Sequence, residues 1–221
     1  MSSLEHLHAQ ITACRLCPRL VAWREQVGLE KRAAYRDWEY WAKPVPGFGD
    51  PDAPILIFGL APGAHGSNRT GRPFTGDASG DFLYPALHRA GLANQARSVR
   101  HGDGLALTNA YITASVRCAP PGNKPGPEEI KACAKWTDLE LELLPNLRVY
   151  LALGRIAHDA LLDHHGLSRS KHPFAHGSEY TIGGRILLSS YHVSRQNTNT
   201  GKLTEVMFDG VLRRAKALAG L

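Results

Sequence analysis

The sequence predicts an α/β fold: a three-layer α/β/α sandwich around a short, mainly parallel four-stranded central sheet. Short apolar runs at Ile55 to Leu60, Val149 to Leu153 and Ile186 to Ser190 read as buried parallel strands. A fourth run, Leu105 to Thr113, reads as another strand. Helical patterns lie between these runs. Strands alternating with helices build a parallel sheet covered on both faces.

Each element has a local reason. In the N-terminal piece, Ser3 to Leu29, Leu4, Leu7 and Ile11 fall at helical spacing ahead of Cys14-x-x-Cys17. Val45-Pro46-Gly47-Phe48-Gly49-Asp50-Pro51 is a punctuated loop. Phe82, Leu83, Ala86, Leu87 and Ala90 share a helix face after a cap at Asp77 or Ser79. Pro127-Glu128-Glu129 opens a helix towards Leu144, with proline in the first turn and acids beside the positive helix end. Ile156 to Leu162 and Leu203 to Leu218 complete the helices. No internal repeat divides the chain, so one domain over residues 1–221 is expected.

Composition narrows the class. A hydrophobic share of 43% and a charged share of 21% describe an ordinary soluble globular chain. No run approaches the ~20 apolar residues that span a bilayer, and Met1 to Arg15 does not read as a signal peptide. A cytoplasmic location, no membrane partner and a monomeric state are expected. Lys+Arg exceed Asp+Glu by 26 to 20, which favours an anionic partner without demanding one.

The four cysteines form two distant pairs, Cys14 with Cys17 and Cys118 with Cys133. That layout suits a tetrathiolate metal site clipping the N-terminal segment to the middle of the fold. A disulfide pair is the alternative, which a reducing compartment disfavours. Spacing alone does not separate zinc from a [4Fe–4S] cluster.

Ligands of such a sheet bind beyond the carboxyl ends of its strands. Three polar loops follow those ends: Gly59 to Asp77, Arg117 to Lys124, and Tyr191 to Thr198. The first carries five glycines, which let backbone N–H groups approach an anion. It matches neither a Walker P-loop nor G-x-G-x-x-G. Arg69 and Arg72, beside Ser67 and Asn68, point to phosphate contact; a tight structural turn is the alternative. Phe74 is placed to stack on a base or to pack beneath the loop. Asp77 reads equally as a helix cap and as a cleft carboxylate. His192 follows a strand end directly, where a neutral imidazole N–H can donate to a leaving-group oxygen; with 11 histidines, a satisfied structural residue is the other reading. Arg195 and Gln196 are long enough to enter a duplex groove.

Together these residues resemble the uracil-DNA glycosylase superfamily, in its iron–sulfur-containing branches. Gly59 to Phe74 resembles that superfamily's first motif, and His192-Val193-Ser194-Arg195-Gln196-Asn197 its second. The cysteine layout matches families 4 and 5. Family 4 carries a glutamate where this chain has Leu60, and a uracil-reading asparagine where it has Ala114. The resemblance is therefore to family 5, also called type B. It implies a [4Fe–4S] cluster on Cys14, Cys17, Cys118 and Cys133, and a base pocket at Gly63, Ala64 and Phe74. It implies catalytic roles for Asp77, His192 and Asn123. DNA contacts would come from His65, Ser67, Asn68, Arg69, Arg72, Lys124, Ser194, Arg195 and Gln196. The expected partner is double-stranded DNA holding uracil, hypoxanthine or xanthine. The alternatives are a strictly uracil-specific family 4-like enzyme and a non-catalytic Fe–S or zinc nucleic-acid-binding module.

Overall fold

The computed structural model describes residues 3–221. Helices α1 (Ser3–Thr12) and α2 (Pro18–Glu30) lead into a loop that ends in the short strand β1 (Phe48–Gly49). Then follow β2 (Ile55–Gly59), α3 (Ser67–Thr70), α4 (Ala78–Arg89), β3 (Ala110–Ala114) and α5 (Pro127–Glu142). The remainder is β4 (Val149–Leu153), α6 (Arg155–His164), β5 (Glu179–Ile182), β6 (Arg185–Ser190), α7 (Arg195–Asn199) and α8 (Glu205–Ala219).

The sheet has six strands rather than four, in the order β1-β3-β2-β4-β6-β5. The four inner strands are the parallel set expected; β1 and β5 add antiparallel edges. Both extra strands lack an apolar run. β1 is two residues inside the Gly/Pro loop, and exists through pairing of Phe48 with Ile112. β5 is largely solvent-facing. The fourth run also differs: β3 starts at Ala110, because Leu107 makes only an isolated bridge to Ala93.

β2, buried at every position, sorts its side chains by parity. Ile55 and Ile57 face α4 and α8 with Leu83, Leu87, Phe208 and Leu212. Leu56 and Phe58 face α5 and α6 with Leu141, Ala157 and Leu161. A third cluster joins Leu7, Ile11 and Leu20 to Cys118, Cys133 and Trp136, docking α1 and α2 on the flank. Several helix starts carry side-chain hydrogen bonds: Asp77 Oδ1 accepts from Ser79 and Gly80 N–H, Glu129 Oε2 from Gly126 N–H, and Thr204 Oγ1 from Met207 N–H.

The register aligns the carboxyl ends of the parallel strands. Gly59 pairs with Ala114, and Leu153 with Ser190. β2 leads outward to β3, whereas β4 returns on its other side. The chain direction thus switches between β2 and β4, leaving the crevice where such sheets hold ligands.

Candidate active site

At that crevice the loop after β2 meets the loop after β6. Phe74 and His192 lie with ring centroids 6.2 Å apart. Two glycines at the strand ends make room for them. A Cβ on Gly59 would stand 2.8 Å from Phe74 Cζ, and one on Gly154 3.2 Å from His192 Cβ. Phe74 takes a positive φ of 49°, uncommon for a bulky residue and of the kind that collects at functional sites.

The two carboxylate oxygens of Asp77 have different surroundings. Its Oδ1 caps α4, while Oδ2 faces the turn at Gly63 and Gly66. A Cβ on Gly63 would lie 2.7 Å from Oδ2, and one on Gly66 would collide with it. Burial raises the Asp77 pKa, against the two cap N–H groups that lower it. His192 is pushed down to about 4 by burial, so its ring is neutral near pH 7. The edge therefore presents a flat aromatic, a neutral imidazole and a carboxylate.

The two motif arginines are turned inward. Arg69 is 4% exposed and Arg72 is 3% exposed. Arg69 donates to the carbonyls of His65 and Gly76 while its guanidinium lies over Tyr35 and Trp38, 3.8 and 4.1 Å from the ring centroids. Arg72 makes a bidentate pair with Asp103 at 2.7 and 2.8 Å and also donates to Thr75 and Ser98. That pair, with three backbone N–H groups, outweighs desolvation and holds the Asp103 carboxyl far below its usual range. Ser67 and Asn68 are buried as well, and Asn68 Nδ2 donates to the Arg24 carbonyl. These four positions, expected at the DNA surface, build the loop from inside. The aromatics upstream and Asp103 downstream were the missed signals, since a buried guanidinium requires such partners.

The remaining positions are more open. Ala64 is half-buried beside Gly63. His65 is half-buried, with its Nδ1 3.1 Å from Tyr40 Oη; burial first, then Arg32 and Arg69, lowers its pKa. Lys124, Arg195 and Gln196 are exposed, and half-buried Ser194 caps α7. Asn123 is exposed at a positive φ of 57°, and among the described residues its side-chain amide has no hydrogen bond. A cleft of about 660 Å³ lies instead between α5 and α6, floored by Phe58 and lined by Ile130, Thr137, Ile156 and Ala160. The chemistry-bearing side chains are on the other side of the β2 end.

All four cysteines are free thiols, and all four line one small cavity walled by Leu20, Val21, Val116 and Trp136. Arg24 Nη1 donates to Cys118 Sγ at 2.9 Å and the Arg117 backbone N–H to Cys133 Sγ at 3.4 Å. Among the described residues no set of three or more is drawn to ligating spacing. Four convergent thiols, N–H donors to sulfur and an apolar wall nevertheless fit a thiolate-held metal centre. Burial pushes Cys118 up to about 12, so metal loading would release protons.

Comparison with known proteins decides the family. The model of the uracil DNA glycosylase superfamily matches residues 46–216. A type-5 uracil-DNA glycosylase of Thermus thermophilus is 68% identical over 212 residues, spanning 96% of both chains. The chain belongs to the uracil-DNA glycosylase superfamily, in its type-5 branch. It is a DNA glycosylase. Two Pyrobaculum aerophilum proteins show the same preference of branch. Its type-5 uracil-DNA glycosylase is 44% identical over 96% of this chain and 91% of its own. Its type-4 uracil-DNA glycosylase is 35% identical over 72% of this chain and 65% of its own. No described helix of this glycosylase is long and apolar enough to cross a membrane.

Proposed function

We propose that this glycosylase excises uracil, and also hypoxanthine and xanthine, from double-stranded DNA, initiating base excision repair. The observation that carries the reading is the Phe74–His192 pair over the β2 and β4 ends, with Asp77 turned to the same edge. A paired base cannot reach that crevice, so the nucleotide flips out at a cost of a few kcal/mol, least for a mismatch such as U·G. Phe74 stacks on the flipped base. As the C1′–N bond breaks, its electron pair departs on the base and positive charge grows on the sugar. The neutral His192 N–H donates to a base oxygen and stabilises that developing anion. The Asp77 carboxylate faces the sugar cation and orients the water that forms the new C1′–O bond. The proton lost by that water neutralises the departing base.

Breadth of substrate follows from the end of β3. Ala114, paired with Gly59, has no side-chain amide with which to read a uracil edge or reject a purine. This favours the broad reading over a strictly uracil-specific one. Duplexes carrying U·G, hypoxanthine·T or xanthine·C, treated with the protein and then with alkali, test it. Strand breaks in all three are expected; breaks with U·G alone would show that Ala114 does not set the breadth.

Cys14, Cys17, Cys118 and Cys133 would hold a [4Fe–4S] cluster, whose contribution is structural: it clips α1 and α2 to the loop after β3. The exposed Lys124 and Arg195 carry phosphate contact in place of Arg69 and Arg72. Lys124→Ala and Arg195→Ala are each expected to reduce the salt slope of duplex binding by about 1. Arg72→Ala should leave that slope alone and instead cost about 3–5 kcal/mol in urea unfolding, because it strands the Asp103 carboxylate. The reverse pattern would return Arg72 to the interface.

A further inference from the structure

The cysteine cavity has an inner neighbour that neither the motifs nor the family comparison assigns. Arg24 is 2% exposed. Its Nη1 donates to Cys118 Sγ at 2.9 Å, and Nη1 and Nη2 both donate to the Cys14 carbonyl at 3.3 and 3.2 Å. One guanidinium thus bridges the two halves of the cysteine set, reaching a sulfur 94 residues from Arg24 in sequence. Its nearest carboxylate is Glu25, at 3.8 Å. That carboxylate is 40% exposed and already engaged with Arg15. The Arg24 Nε has no partner among the described residues. A buried cation is strongly disfavoured unless something anionic faces it. Neutral thiols and a carbonyl do not meet that need. Four thiolates around a [4Fe–4S] core leave a doubly negative centre, which does.

We propose that Arg24 is a positioning residue of the metal centre: it fixes the Cys118 sulfur against the Cys14 segment, and its charge raises the reduction potential of the cluster. This rests on the reading of the four cysteines as [4Fe–4S] ligands. Hydrogen bonds and positive charge at cluster sulfurs favour the more negative, reduced state. The arginine also reaches outward. Its main-chain carbonyl accepts from Asn68 Nδ2 at 3.2 Å, so the residue that grips the cluster also braces the loop after β2. No electron-transfer step in base excision is implied.

The test is redox titration of the purified, full-length holoprotein. Dithionite supplies one electron per cluster, mediator dyes set the potential, and the reduced cluster is followed by electron paramagnetic resonance. Wild type, Arg24→Gln, Arg24→Lys and Glu25→Gln are compared at equal iron content. Wild type is expected to be brown, with four irons per chain. Arg24→Gln should shift the midpoint to a more negative value and alter the resonance. Arg24→Lys should keep the midpoint nearer to wild type while losing iron faster to a chelator, because it retains the charge but not the bridge. Glu25→Gln should behave as wild type. A midpoint unchanged in Arg24→Gln with iron retained would overturn the proposal. If Arg24→Gln cannot hold iron, Arg24→Lys decides: an unchanged chelation rate would overturn the bridge. A colourless wild type holding one zinc would instead overturn the cluster reading itself, which separates the two failures.

Discussion

His192→Ala is expected to slow uracil release by on the order of 10²-fold under single-turnover conditions, with duplex binding nearly intact. The variant removes a preorganised donor aimed at charge that develops only in the transition state. The loss should vary with the base, because uracil, hypoxanthine and xanthine present different acceptors to the same N–H. The pH dependence is also specified. Burial lowers the His192 pKa to about 4, against about 6.5 for a free imidazole. The wild-type rate should therefore show no inflection from this residue between about pH 5 and 8. Stability carries the complementary signature. Between about pH 6.5 and 4 the unfolded chain binds a proton that the folded state refuses, so stability falls as pH drops through that window and is unaffected above it. His192→Ala should remove that share of the acid loss. An equal slowing on every base would move the residue from the base to the sugar.

Asp77→Asn and Asp77→Ala are expected to slow all bases alike, because every substrate passes through the same sugar cation. The two variants should differ in stability. Asn ranks with Asp as a helix cap, so Asp77→Asn should unfold close to wild type, whereas Asp77→Ala loses acceptance from Ser79 and Gly80 and about 1 kcal/mol. Burial raises the Asp77 pKa above that of an ordinary carboxyl despite the cap N–H groups. The wild-type rate should accordingly begin to fall at a higher pH than an ordinary carboxyl would dictate, as acid protonates the group. That limb should vanish in Asp77→Asn. An Asp77→Asn protein with full activity would leave the residue as a cap alone.

These two residues illustrate what the sequence could carry. The parallel core was legible because strands buried on both faces read as apolar runs, and Ile55–Phe58 and Val149–Leu153 are of that kind. The convergence of the Gly59 and Tyr191 loops followed from strand ends alone. The edge strands were not legible: β1 is two residues defined by a partner 64 positions away, as Phe48 on Ile112. The inward packing of the motif arginines was hidden for a related reason. An arginine in a glycine-rich loop reads as a phosphate ligand unless its internal partners are known, and Asp103, Tyr35 and Trp38 lie outside the motif. Arg24 left a clearer trace. It stands between Leu20 and Val27 at helical spacing on the buried face of α2, where a charge needs an explanation.

The joint role of His192 and Asp77 is tested most directly by base release from a U·G duplex by wild type and by the His192→Ala/Asp77→Asn double variant, at matched DNA occupancy with alkali cleavage as the readout. Rapid release by wild type and essentially none by the double variant are expected, with comparable binding by both. No release by wild type, or release by the double variant at the wild-type rate, would contradict it.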